Sequence, residues 1–260
     1  MGYLKAMYNR FRVGAFKYSE INNTDFFLAK YPLASDYNFE GEVPRKIFCF
    51  WTGSNEMSHQ RKNAYDLLVK NAGVEVVLIT PKNLKEYILP GNPLHPCFEY
   101  LSLVHKADYL RCYFMHHYGG GYSDIKGTRK NWDKLFDILE KNTDKWVVGY
   151  REIGERGVAP VEGLLGDAIR KHWHLLNGNC SYIFKPSTPF THEWHAELHR
   201  RLDGFHGDLK LNPGNIMGDN PGYPISWTGI LGDIFHPLCL KYANRLIYAN
   251  RIKPILTDYR

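Results

Sequence analysis

The sequence predicts an α/β protein with a mostly parallel central sheet and helices on both of its faces. Two short apolar runs, 47–51 and 74–79, bracket a helical stretch, and a strand, a helix and a strand in that order imply a right-handed parallel crossover. A third observation is the stretch from His105 to Lys126. There a helical pattern (Ala107, Leu110, Phe114, Tyr118) stops at Gly119, Gly120 and Gly121 and gives way to a short extended segment. A chain of 260 residues buries a sizeable core without disulfides, so one α/β domain is expected after an N-terminal extension.

The extension covers residues 1–40. Leu4, Met7, Tyr8 and Phe11 form an apolar stripe flanked by Lys5, Arg10, Arg12 and Lys17, with no acid before Glu20. Such a helix suits either an anionic membrane surface or the domain itself, with its charges solvated. The first strand, 47–51, ends in Trp51-Thr52-Gly53, at the carboxyl end where open α/β sheets hold ligands. Ser58 is a suitable N-cap for a helix to about Lys70, with Ala64, Leu67 and Leu68 inward. Pro81 closes the second strand, and 82–100 reads as irregular, with three further prolines.

Past Lys126 the pattern predicts a helix near 130–139, a strand at 146–150 and a glycine- and charge-rich connection over 151–166. The segment 175–186 leads polar residues into an apolar strand, and Pro189 opens a helix that carries His192, His195 and His199. These histidines lack the spacing of a zinc peptidase, and a solvated helix face is expected of them. Residues 212–224 read as a loop that brings Asp219, and the small residues of 225–233 permit close approach of a ligand.

Composition excludes several classes. The charge of +6 is compatible with an anionic ligand, while no zinc-finger spacing, aromatic RNA-binding signature or dense basic helix recommends nucleic acid. No apolar run approaches the roughly 20 residues that span a bilayer. Five scattered cysteines without a CxxC pair point to a reducing compartment, so a cytoplasmic protein, peripheral at most, is expected. Aromatic residues at 15% suit either a carbohydrate-binding cleft or plain core filling.

Asp108 and Arg111, three apart, share one helix face, and Asp124 follows at a strand end. Two acids and a guanidinium meeting there suggest a site for a polar, phosphate-bearing ligand, although Asp108 and Arg111 also suit a structural ion pair. Paired carboxylates would equally suit a hydrolase, but Arg111 is expected to keep Asp108 ionised, which makes it a poor general acid.

Several of these segments, in order, resemble glycosyltransferase family 32, with its capsular-polysaccharide relatives. Pro44-Arg-Lys-Ile-Phe-Cys-Phe-Trp51-Thr-Gly53 is similar to the family's opening motif, Lys106-Ala-Asp108-Tyr-Leu-Arg111 to its Ala-x-x-Asp-x-x-Arg, and Gly120-Gly-Tyr122-Ser-Asp124-Ile-Lys126 to its Gly-Gly-x-Tyr-x-Asp-x-Asp. Residues 176–186, with Asn177 and Asn179, resemble a strand that contacts donor sugar and acceptor. The resemblance implies a GT-A fold over 41–260, with a donor half at about 43–130 and an acceptor half at about 131–260. It implies an enzyme that moves a sugar from a nucleotide-diphosphate sugar, most often a UDP-sugar, to a glycan or lipid-linked acceptor in surface polysaccharide synthesis, with retention. Trp51, Thr52, Gly53, Asp108, Arg111, Tyr122, Asp124, Asn177 and Asn179 would bind the nucleotide sugar.

One position departs from the family. Lys126 stands where the second acid of Asp-x-Asp is expected, an acid that in the family binds Mn²⁺ or Mg²⁺. Either the ammonium takes over from the metal at the diphosphate, or the metal is kept by Asp124 and Asp219 with Lys126 turned away. A degenerate, non-catalytic sugar-nucleotide or glycan-binding protein is the competing class. On the transferase reading, Asp108, Arg111, Asp124 and Lys126 carry the chemistry.

Overall fold

The computed structural model describes residues 15–34 and 37–259. The apolar stripe at 4–11 lies outside the described residues. A six-stranded sheet organises the rest, in the order β2-β1-β3-β5-β4-β6. Its strands are β1 (Lys46–Phe50), β2 (Glu75–Ile79), β3 (Gly120–Ser123), β4 (Val147–Arg151), β5 (Asn177–Phe184) and β6 (Leu246–Tyr248). Pairings β1/β2, β1/β3 and β4/β6 are parallel, and β5 alone runs against both its neighbours, β3 and β4. The expected mostly parallel α/β sheet is therefore present, with one reversed strand at its centre.

Alternation along β1 sends its side chains to opposite faces. Ile47 and Cys49 join Leu68 and Ala72 of α2 (His59–Ala72) and Leu135, Phe136 and Leu139 of α4 (Asp133–Lys141), whereas α1 (Phe26–Lys30) adds Phe27 and Leu28 to the opposite core. Phe48 and Phe50 face α3 (Leu103–His117), where Phe114 sits 4.8 and 5.0 Å from their rings. The same side carries α6 (Pro189–Leu211) and α7 (Gly232–Lys241), whose Phe235 stacks on Tyr182 of β5 at 5.3 Å. Helices thus cover both faces.

Local chemistry sets the boundaries. Ser58 accepts a hydrogen bond from Arg61 N–H and Ser102 from His105 N–H, each capping the helix that follows. Gly119, at φ 67°, ends α3, and a Cβ there would lie 2.7 to 2.9 Å from Pro186 and the Phe184 carbonyl. β3 starts at Gly120 rather than Tyr122, so two of the three glycines belong to the strand.

The connection expected over 151–166 is shorter than anticipated, because α5 (Gly163–Lys171) begins inside it and buries Leu165, Ala168 and Ile169. Gly166 permits this: its α-carbon passes so close to the Val161 carbonyl that any Cβ would collide with it. His195 and His199 are not solvated as expected. His195 stacks on His116 at 4.9 Å, His199 meets His95 edge-on at 5.0 Å, and the two lie 4.0 Å from each other, because α3 and the segment before it pack on this face of α6. Among the described residues no helix is long and apolar enough to cross a membrane.

Candidate functional site

The carboxyl ends of β1 and β3, the start of α2 and the inner face of α3 surround a cleft of about 310 Å³. Trp51, Thr52, Gly53, Arg111, Tyr122, Asp124 and Lys126 all line it. The loop after β1 is fixed to α3 by the Thr52 hydroxyl, which donates to the Leu103 carbonyl at 2.6 Å. The Trp51 indole N–H donates to the Asn55 carbonyl at 2.7 Å, which holds the ring at the cleft wall.

Asp124 is the charge centre. Its Oδ1 accepts from the Tyr122 hydroxyl at 2.6 Å and pairs with Arg111 at 3.1 Å, and its Oδ2 accepts from Lys126 Nζ at 2.6 Å. Burial alone would raise this acid, but Arg111 and Lys126 outweigh that and hold its pKa down to about 2. Lys126, 7% exposed, is desolvated, yet Asp124 keeps its pKa above the ordinary lysine value. Its ammonium also donates to Cys180 Sγ at 3.1 Å and lies 4.7 Å from the centre of the Tyr259 ring.

Several of the sequence-based assignments are corrected. Asp108 is not on the cleft wall; it lies behind Arg111, paired with the guanidinium at 3.4 Å, and is 3% exposed. Nor does Arg111 hold it in the usual carboxylate range: burial pushes its pKa up to about 6 against the pull of Arg111, and the charge of Asp124 adds to the rise. The paired-carboxylate hydrolase fails on geometry, since Arg111 fills the space between the two acids. Asn177 is fully buried, packed against the backbone of Gly149, and lines neither this cleft nor the larger cavity beside it. Asn179 lines that second cavity, while its carbonyl accepts from Arg111 at 3.2 Å.

The residues do not fit a divalent cation. Both oxygens of Asp124 are occupied by hydrogen-bonding or cationic groups, and Asp219 is an exposed loop residue accepting from Asn215 at 2.6 Å, away from the cleft lining. No group of three metal-ligating side chains occurs among the described residues, the histidines of α6 included. The alternative in which Asp124 and Asp219 keep the metal with Lys126 turned away is thereby corrected, because Lys126 turns toward Asp124.

Two cleft residues escaped sequence reasoning. Arg61, in the first turn of α2, lines the cleft and donates to the Ile125 carbonyl at 3.1 Å. A basic residue three positions past the helix cap, just after the Trp-Thr-Gly loop, was the available signal. Tyr259 lies against both Arg61, at 5.1 Å, and Lys126, and no local pattern near the C-terminus marks it.

The fold is an α/β sheet with a cation-rich cleft at the carboxyl ends of β1 and β3. Residues 19–136, which contain Trp51, Arg111 and Asp124, match the family of capsular polysaccharide synthesis proteins. That is the type the motifs resemble. No curated protein matches the chain. Among solved structures, the chain is similar to the PaToxG glycosyltransferase, at 14% identity and a TM-score of 0.40, covering 66% of this chain and 66% of that one. A likeness of that size carries no argument about chemistry.

Proposed function

We propose that the protein is a glycosyltransferase of the capsule-synthesis type that transfers a sugar from a nucleotide-diphosphate sugar to a glycan or lipid-linked acceptor, without a metal ion. One observation carries the reading: among the described residues, three cations, Arg61, Arg111 and Lys126, line a single cleft with only one carboxylate, Asp124. A diphosphate is the anion that such a cleft suits, and fixed cations there stabilise the charge that grows on the leaving nucleotide as the anomeric bond breaks.

Each group has a task that follows from its place. Asp124 holds Lys126 charged and pointed, and Tyr122 fixes the carboxylate in turn. When a diphosphate enters, Lys126 exchanges part of its bond to Asp124 for a phosphate oxygen, at little reorganisation cost because the ammonium is already desolvated. Trp51 offers an aromatic wall for the base, and Asp108 keeps Arg111 oriented from behind. A uridine donor and retention of configuration are the expectations that the resemblance adds.

The test is a thermal-shift panel of nucleoside diphosphates and their sugars, with EDTA or Mn²⁺, followed by turnover of whichever donor binds. Stabilisation by a nucleotide sugar in EDTA, and turnover that survives EDTA, are expected. Turnover abolished by EDTA and restored by Mn²⁺ would sink the metal-free mechanism. Binding with neither transfer nor slow donor hydrolysis would select the non-catalytic alternative.

A further inference from the structure

A second cavity of about 930 Å³ adjoins the cleft, within the roughly 300–1,000 Å³ usual for ligand sites. Residues 179 and 180 of β5 stand between the two. Both line the second cavity, while the Asn179 carbonyl and Cys180 Sγ hold Arg111 and Lys126 of the first. A molecule in the second cavity is therefore one strand away from the cations of the first.

The two cavities differ in sign. Asp25, Glu152, Glu162 and Asp233 line the second, against Arg156 and Arg201. Arg201 is already engaged, donating to Glu197 and to the Gly229 carbonyl at 2.7 Å each. Glu152 is held in the wall by the Ile153 N–H at 2.7 Å. Two oxygens on this lining, Asn179 Oδ1 and Asp233 Oδ1, are buried with no hydrogen-bond partner among the described residues. A buried acceptor left so costs roughly 1–3 kcal/mol until a donor reaches it. Trp227 completes the wall and is 56% exposed, a large indole face left open to solvent.

We infer that this cavity is the acceptor subsite and that it takes an uncharged or amino-bearing saccharide in preference to an acidic one. The inference rests on the donor reading above. A sugar presents the two things the walls lack: C–H faces for the Trp227 indole and hydroxyl donors for Asn179 and Asp233. An amino sugar adds a cation to an acidic wall, whereas a uronate brings a like charge into it.

The test titrates the full chain, with and without UDP, with trisaccharides of glucose, galactose and mannose, with a glucosamine trimer and with a galacturonate trimer. At least one neutral or amino trimer is expected to bind, and the galacturonate trimer at least tenfold more weakly. Trp227→Ala is expected to raise the saccharide Kd at least tenfold and leave UDP binding unchanged. Asp233→Asn is expected to narrow the gap between the glucosamine and galacturonate trimers. Galacturonate binding as tight as the best neutral or amino trimer would overturn the inference, and so would saccharide binding indifferent to Trp227→Ala. Failure of every neutral and amino trimer while UDP still binds would overturn it too. Absence of nucleotide binding with saccharide binding intact would strike the donor reading instead.

Discussion

Lys126 places its ammonium 2.6 Å from Asp124 Oδ2, so a cation stands against the carboxylate where the Asp-x-Asp pattern would put a second acid. The pair is nearly buried, at 8% and 17% side-chain exposure, and Arg111 binds the other oxygen of the same acid. Lys126→Ala leaves Asp124 neutralised by Arg111 and removes the cation aimed at the diphosphate. We expect kcat to fall by about 10²–10³, the size seen when one preorganised charge-stabilising donor is lost. Lys126→Asp recreates two acids, and nucleotide-diphosphate binding to this variant should become dependent on Mn²⁺. Steady-state turnover checks the first and calorimetric titration in EDTA and in Mn²⁺ the second, and equal affinity of Lys126→Asp in the two buffers would contradict the exchange of roles.

Trp51 tests the base subsite separately. Stacking of a base on an aromatic side chain is worth about 1–3 kcal/mol, so Trp51→Ala should raise the Kd for a nucleoside diphosphate by roughly 5- to 150-fold. Inorganic pyrophosphate, which has no base, should bind the variant as it binds the parent. A matching loss of pyrophosphate affinity would mean that Trp51 supports the loop and not the base.

How far the site was legible depended on how local each residue's reason is. Trp51, Arg111, Asp124 and Lys126 sit in short motifs at strand ends, where an apolar run followed by glycine or a polar residue fixes their place. That Asp108 lies behind Arg111 and off the cleft wall was not legible, because it depends on how α3 packs in the fold, a long-range contact that no window of sequence contains. In the fold, β1, α2, β2 and α3 followed from periodicity. The helix α5 was hidden by Gly163 and Gly166, which read as loop although Gly166 serves close packing, and α7 was hidden by its internal Pro237. The three-residue β6 owes its existence to its parallel pairing with β4, which no window of sequence contains.

Gly119 couples the fold to the site. Its φ of 67° and the closeness of Pro186 leave no room for a side chain at the turn that delivers Asp124. Gly119→Ala should destabilise the protein by about 1–3 kcal/mol, the cost of holding a non-glycine residue in a strained conformation. Urea denaturation reads that directly. Donor affinity should fall in the same variant below the transition, and a variant as stable as the parent would show that the turn relaxes freely.

The stacked histidines give the protein a pH dependence of stability whose sign can be worked out. His116 on α3 and His195 and His199 on α6 have pKa values lowered to about 4, 3 and 4, with burial as the first cause and neighbouring histidines adding to it. His117, His192 and His95 face them, and Asp203, 3.0 Å from His95, is the acid at that end of the row. These rings stay neutral in the folded chain while their unfolded counterparts take up protons below about 6.5. The unfolded state therefore binds more protons between pH 6.5 and 4, and stability falls as pH drops through that window. Asp108, raised to about 6, acts in the opposite direction over part of the same range, as do Glu152 and Glu193, which burial also raises, but His105, His117 and His236 are lowered too and act with the row. The midpoint of thermal unfolding should fall by several degrees from pH 7 to pH 4.5, and His195→Gln should flatten the profile. A midpoint that rises on acidification, or a profile that His195→Gln leaves unchanged, would show that the row does not set it.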